Sequence, residues 1–403
     1  MGTSSGLVER AVNCAVGPDA GIRPFDEWDR LPGLVRQAVE AGVLNAATAL
    51  NGGISVHDES RTHPVHRLDI DGTPVAYAKS RGWAAATDGD DSLAAERRAL
   101  TLLRRSGLVP MELVPMELVP MELVPMELAP TQPESHYVDV LWTQALQPCE
   151  PIYRVISSSS PARVITAVRA WGQALARLHR SPAEPDVTPT AALPWVLAAG
   201  DGPAHLRAMV PRSAALTVWA MLREDRAVRA ALQGAHEAWS ATHWTHGDAT
   251  SANCLARVTK PYQWRIWFVD LETAGLGDPG WDLATAYESL EFHAISRRID
   301  VRPVLTSLLS GYRDAGGPAR LTRNLLVARA ALTAVQVASS ARTASAQQTV
   351  GPFLRRVAAL TDGQFSPILS VPLPRPVAAK PHPVLCRPAL PVPVRAAELG
   401  LPA

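Results

Sequence analysis

The feature that most constrains this chain is a short polar turn followed by an apolar strand that ends in a carboxylate. The turn reads HGDATSAN (residues 246–253), and the strand WRIWFV (264–269) leads directly to Asp270. A carboxylate at the end of a buried strand is costly to desolvate unless a cation neutralises it. Carboxylate and amide oxygens suit Mg²⁺, and a carboxylate can also orient a hydroxyl and accept its proton. Asp248, Asn253 and Asp270 are therefore predicted to form one magnesium site.

Three neighbouring residues are predicted to support this turn. Asp278 is a candidate N-cap before Pro279, which places Asp282 in the first turn of a helix and close enough to brace the loop. His246 is read either as a structural, hydrogen-bonded histidine or as a proton carrier. Glu272 is read either as a third acid at the metal or as an acceptor that braces the loop.

The amino-terminal half predicts a small antiparallel sheet followed by a helix. The segments 64–70 and 73–79 flank Asp71-Gly72, a dipeptide suited to the positive φ angles of a tight hairpin turn. A helix is predicted to start near Ser92 and to stop at Gly107.

Two charged residues in this half lie in apolar patterns. Glu96 shares a helix face with several leucines, and strand alternation puts Lys79 on the same side as Val75 and Tyr77, which we interpret as the inward side. A buried Lys79–Glu96 pair explains both positions, and it would hold the ammonium against the α- and β-phosphates of a nucleotide.

The distribution of charge and cysteine restricts the partners. From Ile295 to the end there are 14 Lys and Arg against 4 Asp and Glu, although the whole chain has a formal net charge of +1. A basic surface attracts anions and repels cations, which argues against a polycation as the molecule that this part of the chain binds. The four cysteines are far apart, so neither a disulfide framework nor a zinc site is indicated. With no export signal and no membrane-length apolar run, we expect a cytoplasmic protein without nucleic-acid or membrane partners.

At this point the chain resembles a known family. HGDATSAN followed by FVDLETAGLGDPGWDLA is similar to the signature of the aminoglycoside phosphotransferase and choline kinase-like enzymes, relatives of protein kinases. The resemblance covers roughly residues 45–315, including GQALARLHR before the turn and LLSGYRDAGG after it. It implies an α+β, two-lobed protein kinase-like fold, with a small antiparallel sheet in the N-lobe and a larger, mainly helical C-lobe.

The resemblance also implies roles for individual residues and two cofactors, ATP and Mg²⁺. Asp248 would be the catalytic base or hydroxyl-orienting group, with Asn253 and Asp270 as the magnesium ligands. Lys79, held by Glu96, would bind phosphate. The segment 144–147 would be a hinge that grips adenine through backbone groups; its residues include Gln144 and Leu146.

The expected organisation has four parts. Residues 1–50 are an extension with a helix, and 51–147 are the nucleotide-binding lobe. That lobe includes a loop at 108–130 with near-perfect copies of VPMEL, read as a lengthened loop or as a peptide-docking arm, and the hinge at 144–147. Residues 148–364 are the helical catalytic and acceptor-binding lobe, and 365–403 are a proline-rich tail.

Three functions remain open from the sequence. The first is transfer of the γ-phosphoryl group of ATP to a hydroxyl of a small-molecule or biosynthetic acceptor other than a typical aminoglycoside. The second is Ser/Thr phosphorylation of a ribosomal precursor peptide before elimination, with a separate lyase partner. The third is a nucleotide-binding pseudokinase, which a departure from the family permits: the phosphate-covering stretch ISVHDESRTHP contains no glycine, and Asp58 and Glu59 would repel phosphate.

Overall fold

The computed structural model describes residues 31–51, 53–60, 64–80, 92–112, 140–183, 186–198, 214–296, 299–340, 346–363 and 390–391. These residues form two compact units. The sheet unit takes its described residues from Gly21–Arg104, Pro110–Gln147 and Ala379–Ala403, and the helical unit takes its own from Arg105–Val109 and Pro148–Ala378. Among the described helices, none combines the length and hydrophobicity needed to traverse a lipid bilayer.

The described residues contain eleven α-helices and ten strands. The helices are α1 Leu31–Glu40, α2 Ala46–Asn51, α3 Ser92–Leu103, α4 Ile152–Ser158, α5 Pro161–His179, α6 Ala214–Glu224, α7 Arg226–Glu237, α8 Pro279–Ser296, α9 Val301–Asp314, α10 Arg323–Ser340 and α11 Ala346–Thr361. The strands are β1 Ile54–Asp58, β2 Val65–Ile70, β3 Thr73–Ser80, β4 Val140–Gln144, β5 Glu150–Pro151, β6 His243–Thr245, β7 Cys254–Lys260, β8 Gln263–Phe268, β9 Gly275–Gly277 and β10 Leu390–Pro391.

The sheet unit is built on one antiparallel sheet with the strand order β10-β1-β2-β3-β4. The predicted hairpin between β2 and β3 is confirmed. Asp71 and Gly72 have φ angles of 49° and 76°, the left-handed conformation that a two-residue turn of this kind requires at both positions. Asp71 also accepts a hydrogen bond from the N–H of Gly53 at 3.1 Å, which ties the turn to the start of β1.

The hydrophobic core of the sheet unit lies between its sheet and α1. Ala76 and Ala78 are the residues of β3 that are fully buried in it, with exposures of 0% and 2%. Lys79 is buried, as predicted for an inward position, although it lies on the side of β3 opposite to Ala76 and Ala78. Val75 and Tyr77 are only half-buried, and the burial of Lys79 has a separate cause, described below.

The helical unit contains two small sheets in addition to its helices. One sheet has the strand order β5-β7-β8 and the other pairs β6 with β9. Helices α5 and α9 pack at very short range, because each has a glycine at the crossing point. A Cβ on Gly172 would overlap the carbonyl oxygen of Leu308, and a Cβ on Gly311 would overlap that of Arg169. This close crossing fixes the position of α5, whose last residue, His179, belongs to the candidate site.

Several predicted segments lie outside the described residues. They are the extension up to residue 30, the VPMEL copies beyond Glu112, and the proline-rich tail apart from β10. Within the tail, Leu390 and Pro391 pair with Val56 and Ser55 of β1.

Candidate active site

The sheet unit contains a buried ion pair between β3 and α3. The Nζ atom of Lys79 lies 2.7 Å from Oε2 of Glu96. Lys79 is 9% exposed and Glu96 is 5% exposed, so both charges are largely removed from water. The sequence predicts this pairing, and it is the reason that a lysine can be buried on the half-buried side of β3. A buried pair of this kind holds the ammonium in one place.

The segment predicted to be the hinge, 144–147, begins at the last residue of β4. The N–H of Gln144 donates to the carbonyl of Met111 at 2.9 Å, and the N–H of Ala145 donates to the carbonyl of Val75 at 3.0 Å. These two donors are therefore engaged within the sheet unit. Within the described part of the chain, the backbone of Leu146 makes no hydrogen bond, so its N–H and C=O are open to a ligand.

The loop between β1 and β2 is closed by its own polar groups. The N–H of Ser60 donates to Oδ1 of Asp58 at 2.8 Å, and the Ser60 hydroxyl accepts from the N–H of Val65 at 3.0 Å. Arg67 lies 2.8 Å from Glu59, which neutralises one of the two acids in the loop. Thr62, in the same loop, lies outside the described residues.

In the helical unit, the polar turn predicted to carry the chemistry connects β6 to β7. Gly247 has a φ of 82°, and a Cβ there would come within 2.8 Å of three atoms of Thr273. Only glycine combines this conformation with so close an approach. The Thr273 hydroxyl donates to the carbonyl of His246 at 3.0 Å, and Nε1 of Trp281 donates to the carbonyl of Gly247 at 2.8 Å.

Asp282 binds this turn from the first turn of α8. Its Oδ2 accepts from the N–H of His246 at 2.7 Å, and its Oδ1 accepts from the N–H of Gly247 at 2.9 Å. Oδ2 also lies 3.1 Å from Nε2 of His179, at the end of α5. Asp282 is fully buried, and these donors compensate for the desolvation of its carboxylate. The start of α8 is capped by Asp278, whose Oδ1 accepts from the N–H of Gly280 at 2.8 Å.

His179 is a supporting residue that sequence reasoning missed. Its Nδ1 lies 2.7 Å from the hydroxyl of Tyr312, which in turn accepts from the N–H of Ala319 at 3.1 Å. Burial raises the pKa of Tyr312, so its hydroxyl stays protonated and can donate to His179. The signal was present in the sequence, since His179 belongs to the GQALARLHR segment.

His246 has both ring nitrogens engaged with the backbone. Its Nδ1 accepts from the N–H of Asp248 at 3.3 Å, which leaves Nε2 as the protonated nitrogen that donates to the carbonyl of Val269 at 2.9 Å. The residue is 0% exposed. This arrangement is that of a neutral, structural histidine that joins the turn to the end of β8.

The side chain of Asn253 turns back toward Asp248. Its Nδ2 donates to the carbonyl oxygen of Asp248 and to Oδ2 of the Asp248 carboxylate, both at 3.1 Å. The amide group is therefore oriented with its carbonyl oxygen, Oδ1, away from these contacts. No hydrogen bond to Oδ1 occurs among the described residues, and this neutral oxygen is the type of ligand that Mg²⁺ accepts.

Asp270 follows β8 at a point that is tied to Asn253. The N–H of Val269 donates to the backbone carbonyl of Asn253 at 3.0 Å. Asp270 has a φ of 64°, a left-handed conformation that is uncommon outside glycine and that clusters at functional sites. Carboxylate oxygens of Asp270 and Glu272 lie within 4.8 Å of one another. Both acids are half-buried, so the pair suits a divalent cation.

Two further charged residues near Asp248 were missed by sequence reasoning. Arg329, from α10, places Nη2 3.3 Å from Oδ1 of Asp248 and Nε 3.2 Å from Oε2 of Glu288, from α8. Glu288 also accepts from the hydroxyl of Thr333 at 2.7 Å. The signal was a charge inside an apolar helical segment, since Arg329 lies in LLVARAAL and Glu288 in ATAYESLEF.

Burial dominates the electrostatics around Glu288. It raises the pKa of the Glu288 carboxyl to about 7, although Arg329 and the Thr333 hydroxyl act in the opposite direction. One turn further along α8, Glu291 forms a second buried ion pair, with Nη2 of Arg356 at 2.6 Å. Each of the two arginines thus has a carboxylate partner on α8.

The structure therefore gathers the predicted residues of the helical unit around one turn. Asp248 and Asn253 are in direct contact, and Asp282 and His246 hold the backbone beside them. Asp270 and Glu272 follow the strand that His246 anchors. In the sheet unit, Lys79 and Glu96 form the predicted pair, Gln144 ends β4, and Leu146 lies in the segment after it.

Sequence comparison relates the chain to one family. Residues 84–326, more than half of the chain, match the model of the phosphotransferase enzyme family (APH). The resemblance inferred from the two signature motifs is confirmed by this match. No curated protein matches the chain at a significant level.

Several solved structures are similar to this chain at low sequence identity. The amicoumacin kinase hAmiN, in complex with AMP-PNP, Ca²⁺ and Ami, has a TM-score of 0.53 and 12% identity, over 85% of this chain and 95% of that one. An aminoglycoside phosphotransferase from Streptomyces rimosus has a TM-score of 0.48 and 17% identity, over 77% and 99% of the two chains. An ethanolamine kinase from Plasmodium vivax has a TM-score of 0.46 and 9% identity, over 91% and 95%. The predicted α+β protein kinase-like fold is confirmed.

Proposed function

The chain belongs to the phosphotransferase enzyme family, and on that premise we propose that it is a kinase that transfers the γ-phosphoryl group of ATP to a small-molecule alcohol with the help of Mg²⁺. The observation that carries this proposal is the contact between Asp248 and Asn253. One Asp248 oxygen is held by the Asn253 amide, and the Asn253 carbonyl oxygen is left for a cation.

The residues of the helical unit divide into three sets by the part that each plays in the reaction. Asp248 orients the acceptor hydroxyl and accepts its proton as the new phosphate ester forms. Asn253 and Asp270, with Glu272 beside them, are the oxygen ligands that would hold Mg²⁺. When bound, this ion neutralises charge on the phosphates. His246 and Asp282 keep the turn in position, so that little reorganisation is needed at the moment of transfer.

The nucleotide is assigned to groups of the sheet unit. The Lys79 ammonium, held by Glu96, binds the α- and β-phosphates. The free N–H and C=O of Leu146 bind the adenine edge, and Gln144 supports this segment through its bond to Met111. The nucleotide analogue and the divalent cation in the amicoumacin kinase complex support a nucleotide and a metal for this chain.

The acceptor is proposed to be an uncharged or anionic molecule. The basic residues after Ile295 repel a polycation. In addition, Arg329 lies against Asp248, where an ammonium group of an aminoglycoside would meet a like charge. A small molecule is preferred over a precursor peptide because amicoumacin kinase, the similar structure that supports the fold, was solved with a small molecule bound.

The test is transfer of ³²P from [γ-³²P]ATP with Mg²⁺ to a panel of sugars, nucleosides, aminoglycosides and Ser/Thr peptides, with Asp248→Asn as the inactive control. The proposal predicts labelling of an uncharged or anionic small alcohol by the wild type and none by the variant. Labelling of peptides alone would support the precursor-peptide kinase instead. Magnesium-dependent nucleotide binding without any turnover would identify a pseudokinase.

A further inference from the structure

Arg329 of α10 forms two ion pairs, one with Glu288 of α8 and a second with Asp248 in the turn between β6 and β7. It is 6% exposed, and its guanidinium already has a buried partner in Glu288, on the adjacent helix. The side chain of Asp248, by contrast, is 41% exposed and belongs to the turn between β6 and β7. A guanidinium that only joined α8 to α10 could have ended at Glu288. The arginine extends instead to the carboxylate that the proposed reaction uses.

The guanidinium is held from several sides. Oε2 of Glu288 lies 3.2 Å from Nε of Arg329; this contact is an ion pair, but its geometry is not that of a hydrogen bond. The hydroxyl of Thr333 donates to the same Glu288 oxygen at 2.7 Å. The centroid of the Trp281 ring lies 5.9 Å from the guanidinium carbon, which is within the range of a cation–π contact. Because Trp281 also donates to the carbonyl of Gly247, Arg329 and the turn share a rigid neighbour.

Asp248 is consequently held at both carboxylate oxygens. Oδ2 accepts from Asn253 at 3.1 Å, and Oδ1 accepts from Arg329 at 3.3 Å. Two donors on opposite oxygens restrict rotation of the carboxylate about its χ2 torsion, which is otherwise broad. The orientation of Asp248 therefore depends on a residue from a helix that is remote in sequence.

We propose that Arg329 is a positioning residue for phosphoryl transfer: it orients the Asp248 carboxylate toward the acceptor hydroxyl from the side opposite to Asn253, while Glu288 and Thr333 hold the guanidinium in place. This inference rests on the proposed function. It assigns Arg329 no contact with nucleotide, so its loss alters the chemical step and leaves nucleotide binding intact. Arg329→Lys keeps the positive charge, but an ammonium cannot contact Glu288 and Asp248 through separate nitrogens as the guanidinium does. It should therefore restore only part of the rate.

The experiment measures hydrolysis of MgATP by water, the simplest hydroxyl acceptor, in the full-length wild type and in Arg329→Met, Arg329→Lys and Arg323→Met. Arg323 is a matched control, because it lies on the same helix and donates to the carbonyl of Leu360, away from Asp248. Binding of AMP-PNP with Mg²⁺ is measured by calorimetry for each protein. Misplacement of a catalytic group can cost on the order of 100-fold in rate.

The expected result is a fall in kcat of about 100-fold for Arg329→Met, with the KM for ATP and the affinity for AMP-PNP within about threefold of the wild type. Arg329→Lys should recover part of the lost rate, and Arg323→Met should match the wild type. A kcat for Arg329→Met within threefold of the wild type would overturn the positioning role but not the proposed function. An equal loss of nucleotide affinity and of rate would have the same consequence. A wild type that transfers phosphoryl to neither water nor any acceptor refutes the proposed function and, with it, this inference.

Discussion

Replacing Asp282 with alanine removes the buried carboxylate that holds the candidate catalytic turn. Three donors lose their acceptor: the N–H groups of His246 and Gly247, at 2.7 and 2.9 Å, and Nε2 of His179, at 3.1 Å. A buried donor left unsatisfied costs about 1–3 kcal/mol, so the three together correspond to about 3–9 kcal/mol. Water can enter the space left by the side chain, and the desolvated charge is removed as well. We therefore expect the free energy of unfolding to fall by about 3–5 kcal/mol.

The assay is urea unfolding followed by tryptophan fluorescence, with Asp278→Ala as the matched control. Asp278 lies one turn earlier at the start of the same helix, and its side chain accepts one hydrogen bond among the described residues, from the N–H of Gly280 at 2.8 Å. Loss of such an N-cap costs about 1 kcal/mol. The reasoning is refuted if Asp282→Ala destabilises the protein no more than Asp278→Ala does, since the three contacts would then contribute nothing beyond one helix cap.

The other predictions concern packing, pH and nucleotide binding. Gly172→Ala should lower the free energy of unfolding by about 3 kcal/mol or more, because the added Cβ overlaps the Leu308 backbone; a loss below 1 kcal/mol in urea unfolding would contradict the close crossing. The raised pKa of Glu288, about 7 against 4.5, means that its contribution to stability is full below pH 4.5 and is lost as the pH rises through 7. Relative to Glu288→Gln, the wild type should therefore lose about 3 kcal/mol between pH 4.5 and 8, and a constant difference in urea unfolding would refute this. Lys79→Met should weaken AMP-PNP binding at least tenfold in calorimetry, because its ammonium is proposed to bind the phosphates; unchanged affinity would remove Lys79 from the nucleotide site.

Much of the candidate site could be predicted because its charged residues occupy positions where the sequence pattern calls for an apolar residue. Glu96 lies among leucines on one helix face, and a buried glutamate needs a cation, which Lys79 supplies. Asp282 could be placed beside the turn because the cap at Asp278 sets where α8 begins.

The missed features depend on packing between elements that are distant in sequence. Arg329 and Glu288 show the same misplacement as Glu96, but only the packing of α10 against α8 reveals that the arginine reaches Asp248. The contact of Gly172 with Leu308 likewise depends on how two helices cross. Both sides of β3 carry apolar residues, so alternation alone could not show that Ala76 and Ala78 face the hydrophobic core.

The central claim is that Asn253 and Asp270 provide the oxygens for a divalent cation next to Asp248. The most direct measurement is a titration with Mn²⁺, followed by electron paramagnetic resonance, in the presence of AMP-PNP. Asp270→Asn should weaken Mn²⁺ binding at least tenfold, whereas Asp248→Asn, which should abolish transfer, should bind Mn²⁺ within about twofold of the wild type. Binding of Mn²⁺ to Asp270→Asn as tightly as to the wild type would contradict the account.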